Sequence, residues 1–360
     1  MRRVNVGIIG LGEVAQIVHL PILEALADRY RIAALCDVSP GLLSAMGDRY
    51  GVEPACRHPV ASHMVAQDDL DAIFVLNSDE YHADGVVAAA RHGRHVLVEK
   101  PMCLSEAEVD EIIAARDAAG VRVMVAYMRR FAPAFLQAVE AVKDLGAIQY
   151  ARVRDIIGRN RLIIDQAQTV LRVDDIPPEM TRDRSERAGR LVSEAIGEAS
   201  PDIVAAYRFL LGLNSHDLSA MREMLGFPRR VVAARHWSGG KYLTATFDYD
   251  GYCAVLETGV DEQLRFDAHI EVYGTTKSVR VQYDTPYIPH LPTTLVTHET
   301  VGDAYHEIIT RPTFKDPYTH ELEYFHEVVT GDRAPKTTPE DFREDLRLIR
   351  MIVDALREGA

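Results

Sequence analysis

The chain has 360 residues, 47% hydrophobic and 26% charged, with a net charge of −14. That length exceeds what one hydrophobic core normally serves, so two domains are expected. The acidic balance argues against nucleic acid or an anionic membrane as partner, because both call for a basic face. No apolar run approaches the roughly 20 residues of a spanning helix. The first apolar stretch, Val4 to Ile9, is too short for a secretion signal. Cys36, Cys56, Cys103 and Cys253 lie far apart, which fits a reducing cytoplasm and no zinc spacing. The histidines form no His-Glu-x-x-His pattern, so no metal site is expected.

Val4 to Ile9 reads as a buried parallel strand. Gly10-Leu11-Gly12-Glu13-Val14-Ala15 follows, a G-x-G-x-x-A turn leading into an amphipathic helix. Gly10 permits the tight turn and Gly12 lets backbone approach a pyrophosphate. Ala15 lets the helix pack close, and the helix N-terminus offers free N–H groups to phosphate. With Glu13 and Val14, these residues are expected to hold a dinucleotide. A second strand ends in Asp37, 25 residues after Gly12, near the spacing expected of a carboxylate that accepts from a ribose 2′-hydroxyl and repels a 2′-phosphate. NAD is therefore expected rather than NADP; the other reading of Asp37 is a turn or helix-cap aspartate.

Strands and helices continue to alternate. Ala72 to Leu76 is a strand, followed by the loop Asn77 to His82 and a helix. Val96 to Glu99 is a strand ending at Lys100 and Pro101. Ser105 opens a helix with Glu108 completing a capping box, and Val121 to Ala126 closes the set. This rhythm predicts a doubly wound, parallel Rossmann sheet over residues 1–126.

Beyond Ala126 the rhythm changes, and residues 127–360 are expected to form an α+β domain. A helix runs from Pro133 to Leu145 and a strand from Ile148 to Ile157. Residues 158–199 form a polar, arginine-rich and aspartate-rich insertion. One reading is a solvated helical face with i,i+3 and i,i+4 ion pairs; the other is an arm over the substrate pocket or into a partner subunit. Tyr207 to Asp217 leads into a helix ending near Gly226. Runs at 231–237, 242–249, 253–259, 269–273 and 278–283 predict a large, mostly antiparallel sheet. Its aromatic residues Trp237, Tyr242, Phe247 and Tyr249 serve either a subunit interface or the core. The loop Tyr283 to His290, with Tyr287, is a candidate polyol-pocket wall. Flanking helices cover 317–330 and 339–356.

The fingerprint at residues 10–15, Asp37, Glu99-Lys100-Pro101 and Tyr127-Met128-Arg129-Arg130-Phe131 together resemble the Gfo/Idh/MocA oxidoreductase family. The resemblance implies NAD(P)-dependent hydride transfer between nicotinamide and a secondary hydroxyl or ketone of a sugar, cyclitol or related polyol. It places Glu99 near the nicotinamide, makes Lys100 catalytic and implies a cis Lys100–Pro101 bond. Asn77-Ser78 stands where the family has Thr-Pro, and His82 keeps the family's histidine position as a cofactor contact or a helix-start residue. In the family's Asp-x-Gly-x-His pattern, His216 matches the histidine, Gly212 replaces the aspartate and Asn214 the glycine. His216 is assigned as general acid/base, because imidazole titrates near neutral pH, with Lys100 steadying the reacting oxygen. Arg129, Asn214, Asp217 and Tyr287 are candidate substrate residues. A homodimer or homotetramer through the second sheet is expected. Two other functions remain open: an NAD-dependent glycoside hydrolase using transient oxidation, and a non-catalytic dinucleotide-binding regulator.

Overall fold

The computed structural model describes residues 2–359. Two compact units emerge. The first comprises the chain up to Ala126 together with Thr169–Gly197 and Glu321–Glu344. The second comprises Tyr127–Gln168, Glu198–His320 and the residues from Asp345 onward. A single cut after Ala126 is therefore incomplete, because two later segments return to the first unit.

In chain order, the first unit begins with β1 (Val4–Ile9), α1 (Leu20–Ala25), β2 (Tyr30–Cys36), α2 (Pro40–Arg49), β3 (Arg57–His58) and α3 (Ala61–Val65). It continues with β4 (Ala72–Val75), α4 (His82–Arg91), β5 (His95–Glu99), α5 (Glu106–Ala119) and β6 (Val123–Ala126). The strands form one parallel six-stranded sheet in the order β3-β2-β1-β4-β5-β6. The inner strands are buried on both faces, which is why they read as unbroken apolar runs rather than alternating ones. The order reverses between β1 and β4, and ligands of such sheets bind in the crevice at that reversal. The capping box at Ser105 and Glu108 is present at the start of α5.

The second unit contains α6 (Pro133–Lys143), β7 (Tyr150–Gly158) and α7 (Asn160–Ala167). The helix α8 (Pro178–Ile196) belongs with the first unit. Then follow α9 (Pro201–Phe209), α10 (Ser215–Leu225), β8 (Arg230–Trp237), β9 (Tyr242–Asp248), β10 (Cys253–Asp261), β11 (Phe266–Tyr273), β12 (Lys277–Tyr283), β13 (Thr294–Val301) and β14 (Ala304–Thr310). The helices α11 (Pro317–Thr330) and α12 (Pro339–Glu358) complete the chain. The eight-stranded sheet runs β14-β13-β12-β11-β7-β10-β9-β8; only β10 and β7 pair in parallel among its described neighbours.

One feature differs from the sequence expectation, and the sheet's aromatics divide between its two open readings. The hairpin β13–β14 was not anticipated. Its turn, Gly302-Asp303, is a recognised hairpin signal, but β14 exposes six of its seven residues and so shows no apolar alternation. Phe247 lies in the core, whereas Trp237 is nearly half exposed and stacks on Tyr242 with ring centroids 5.8 Å apart.

Candidate functional site

The glycine-rich turn is built for close approach. Gly10 has φ +93°, and a Cβ there would lie 2.5 Å from the Asn77 nitrogen, so no side chain fits. Gly12 is the opposite case: a Cβ would meet nothing within 4 Å, leaving an open face beside the turn. Asp37 stitches this turn to the end of β2. Its carboxylate accepts the Leu11 N–H at 2.7 Å and the Ser39 N–H at 2.8 Å. Burial pushes the Asp37 carboxyl up, those N–H groups pull it down, and the nearby Asp175 charge pushes it up.

A cavity of about 480 Å³ opens here, lined by Gly10, Asp37, Asn77 and Ser78. Four exposed apolar side chains also line it: Val38 (40%), Val60 (46%), Ile176 (45%) and Met180 (37%). Scattered exposed apolar residues are ordinary; four on the walls of one cavity mark a binding surface. Asn77 Oδ1 is buried without a hydrogen-bond partner among the described residues, an acceptor awaiting a donor. An open glycine face, a carboxylate, a spare acceptor and apolar walls suit a dinucleotide's pyrophosphate, ribose and base.

Ile176 and Met180 come from the insertion, whose second half lies along the first unit as a strap. Gln16 and Leu171 exchange hydrogen bonds at 3.1 and 2.9 Å, and Arg172 pairs with Glu13 at 2.8 Å. Farther on, Tyr81 donates to Asp183, while Arg187 pairs with Asp84 at 2.8 Å and donates to the Glu80 carbonyl. Neither reading of the insertion anticipated this wall. The charges face residues of the Rossmann unit, and among the described residues one pair in α8, Arg190–Glu194 at 3.8 Å, has helical i,i+4 spacing. Glu13, expected at the cofactor, holds the strap through its carboxylate.

At the end of β5, the Lys100–Pro101 peptide is cis. Glu99 is buried beside it. A π-helical turn over Ala15–His19 brings His19 Nε2 to 2.8 Å from Glu99 Oε1. Burial alone would raise the Glu99 carboxyl, but the His19 hydrogen bond, with His19 and Lys100 charge, holds it below the usual range. Lys100 is half-buried, and its backbone N–H donates to Glu99. His82 has ring nitrogens 2.8 and 2.9 Å from the Pro101 and Asn77 carbonyl oxygens. A neutral ring donates to one of these carbonyls, so His82 ties its helix start to the neighbouring loops. Val14 is half-buried and Ala15 is buried, packing the helix on the sheet.

In the second unit, a π-helical turn over Leu210–Asn214 leads into α10. His216 is nearly buried, its ring edge-on to Tyr127 at 6.0 Å. Gly212 has open space where a Cβ would project. Arg129, Asn214 and Asp217 come together, but not at a surface. Arg129 is 3% exposed, and Asn214, Asp217 and Asp155 are each 0% exposed. Arg129 pairs with Asp155 at 3.0 Å and with Asp217. Asn214 donates to Asp217 and to the Thr258 hydroxyl. Burial and the Asp155 charge hold the Asp217 carboxyl well above its usual range despite Arg129. These three residues were expected to meet substrate; here they pair with one another and with Asp155 in the core, as a buried charge requires, while Arg129 Nε, Asp155 Oδ1 and Asn214 Oδ1 keep no hydrogen-bond partner among the described residues. Tyr287 is half-buried; its hydroxyl accepts from Asn160 at 3.3 Å and its carbonyl from Gln168 at 3.0 Å.

Sequence reasoning missed His19, Asp155 and the strap aspartate Asp175. For Asp155 a signal existed. It sits on the buried face of an alternating strand, where an aspartate calls for a cation. His19 and Asp175 meet partners that only the tertiary fold reveals.

Residues 4–127 match the oxidoreductase family described as having an NAD-binding Rossmann fold. A myo-inositol 2-dehydrogenase of Thermotoga maritima is 32% identical over 357 residues, covering 96% of this chain and 93% of that protein. A D-xylose 1-dehydrogenase (NADP(+)) of Haloferax volcanii is 26% identical, covering 98% of each chain. The crystal structure of an aldose-aldose oxidoreductase from Caulobacter crescentus shares the fold, with TM-score 0.75 and 22% identity, over 100% of this chain and 99% of that one. The fingerprint, the cavity at the sheet's reversal point and a full-length relative above 30% identity agree: the chain belongs to the Gfo/Idh/MocA family of NAD(P)-binding oxidoreductases.

Proposed function

We propose that this enzyme moves hydride between NAD and a secondary hydroxyl or ketone of a sugar, cyclitol or related polyol. The observation that carries the reading is the cavity that joins the open Gly12 turn, Asp37 and Asn77 to four exposed apolar walls. The bound dinucleotide supplies the hydride acceptor or donor. The turn at Gly10–Gly12 and the helix after it hold the pyrophosphate. Asp37 accepts from the adenosine ribose and disfavours a 2′-phosphate, which supports NAD over NADP. Asn77 offers its spare oxygen to a ligand hydroxyl.

Lys100 donates a hydrogen bond to the reacting oxygen and stabilises its alkoxide character, and Glu99 steadies the lysine's loop. His216 takes or returns the hydroxyl proton as general acid/base. Arg129, Asp155, Asn214 and Asp217 act as a buried positioning network on α10 rather than as substrate contacts. The polyol class is supported by the relatives' names and by the family motif at Lys100. A homodimer or homotetramer through the second sheet is supported by exposed Tyr305, Ile308 and Ile309 on β14. A cytoplasmic setting is supported by four unpaired cysteines.

The test is net NADH formation over a panel of polyols and aldoses, run beside release from an aryl glycoside. The expected result is NADH formation, with kcat lowered about 10²–10⁴-fold in Lys100→Ala. Glycoside cleavage without net NADH would replace the dehydrogenase reading with a hydrolase. Cofactor binding with neither activity would leave a regulator.

A further inference from the structure

Between the two fastened parts of the strap lie three carboxylates, Asp174, Asp175 and Glu179, and Asp175 reaches back to the Rossmann unit. Its Oδ2 accepts the Gly41 N–H at 2.7 Å, at the first turn of α2. Hydrogen bonds from the Ser39 side chain and from Gly41 hold this carboxyl below its usual range. A carboxylate from residue 175 is thus bound by the N-terminus of a ten-residue helix that begins three residues after Asp37.

Gly41 is the seat of this contact. A Cβ there would come within 2.9 Å of Asp175 Oδ2 and 3.3 Å of Val173 Cγ1, so the absence of a side chain lets the strap settle. The Gln16–Leu171 exchange and the Arg172–Glu13 pair fix the chain on one side of Asp175. The Asp183–Tyr81 and Arg187–Asp84 contacts fix it on the other. Asp175 is therefore delivered between two anchors.

An adenosine ribose whose hydroxyls meet Asp37 carries its 2′-oxygen at the end of β2. A phosphate on that oxygen reaches one bond farther, toward the turn Val38-Ser39-Pro40-Gly41 and its N–H groups. Helix N-termini hold anions in this way. We propose that Asp175 is a specificity-determining residue that occupies the anion position a 2′-phosphate would take, and so selects NAD over NADP. NADP entry would have to displace Asp175 and then place phosphate charge beside Asp37. Arg184, the cation on the same wall, already faces Glu80 at 3.6 Å. This inference rests on the proposed dinucleotide reading of the cavity, and it assigns the discrimination to two carboxylates from distant parts of the chain.

The test measures dissociation constants of NADH and NADPH by nicotinamide fluorescence on the full-length protein. Wild type, Asp175→Ala, Asp175→Asn and Asp37→Ser are compared, with thermal unfolding recorded for each. The expected result is that Asp175→Ala shifts the affinity ratio toward NADPH about tenfold, equivalent to about 1.4 kcal/mol. Asp175→Asn keeps the side chain's size, removes its charge and shifts the ratio in the same direction, so a poorly folded alanine variant does not decide the matter. If both Asp175 variants weaken both dinucleotides equally, or leave the ratio unchanged while Asp37→Ser moves it, the proposal fails and the cavity reading stands. If wild type prefers NADPH, the proposal fails although the cavity still takes a dinucleotide; if neither dinucleotide binds, or Asp37→Ser also leaves the ratio unchanged, the cavity reading fails with it.

Discussion

Replacing Arg129 by methionine tests the buried network beneath α10. The side chain keeps much of its length but loses its charge, leaving Asp155 and Asp217 buried without their cation. Arg129 Nη2 lies 3.0 Å from Asp155 Oδ2, and Nη1 serves Asp217. At that separation and an effective dielectric constant of about 20, each attraction is of order 5 kcal/mol. Much of it offsets the cost of removing three charges from water. Breaking the network is expected to cost about 3–5 kcal/mol at pH 7. Asp217 sets the pH dependence. Its folded pKa lies above its unfolded value, so the folded state binds the extra proton. Its stabilising contribution is full below an unfolded pKa of about 3.9 and is lost as pH rises through the folded value. Neutralising Asp217 with acid relieves the uncompensated charge, so the variant's deficit shrinks as pH falls through the raised folded value. Urea unfolding followed by tryptophan emission measures this in the second unit, because the one tryptophan, Trp237, lies there. Adding Asp155→Asn and Asp217→Asn to the methionine variant is expected to restore more than half of the loss. A methionine variant within about 1 kcal/mol of wild type, or a triple variant no more stable than the single one, would refute the argument.

The two glycines of the fingerprint predict opposite phenotypes. Gly12→Val is expected to unfold at the wild-type temperature but to lose dinucleotide affinity more than about tenfold, because its side chain enters the open face beside the turn. Gly10→Ala is expected to lower the unfolding temperature, because its Cβ meets the Asn77 backbone at a positive φ; calorimetry and NADH titration separate the two. At the β5 end, the depressed Glu99 carboxyl contributes stability that is complete above an unfolded pKa of about 4.3 and is lost as pH falls through its lower folded value. Glu99→Gln is therefore expected to flatten the acid limb of a calorimetric stability profile, and an unchanged limb would count against the His19 and Lys100 account.

The dinucleotide turn was legible because its chemistry needs consecutive residues: a strand, two glycines, a small residue and a helix start leave a contiguous record. Lys100 was legible for the same reason, as a strand end followed by proline. The limits were tertiary. Asp217 cannot share the direction of its neighbour His216, and that much followed from helix geometry. Its real partner, Arg129, is 88 residues away and carried no local mark. The strap's alternating charges suit helical pairing as well as they suit Tyr81, Asp84 and Glu80, so sequence alone left its partners undecided. The β13–β14 hairpin escaped because an exposed edge strand needs no apolar rhythm.

The return of residues 321–344 to the first unit sets the order in which the protein can be completed during synthesis. Tyr30 donates to the Leu322 carbonyl at 2.6 Å, and Phe74 meets Phe325 edge-on at 5.7 Å. On β6, Val125 exchanges hydrogen bonds with Thr337 at 2.8 and 2.6 Å. A ribosome that has made the six parallel strands has therefore not made their covering. At about 5–20 residues per second, the remaining stretch of about 200 residues takes on the order of 10–40 s. Through that interval the nascent sheet has an open edge at β6 and an uncovered aromatic cluster, the features that invite chaperones and non-native strand pairing. Truncation after Ala126 would make that transient state permanent.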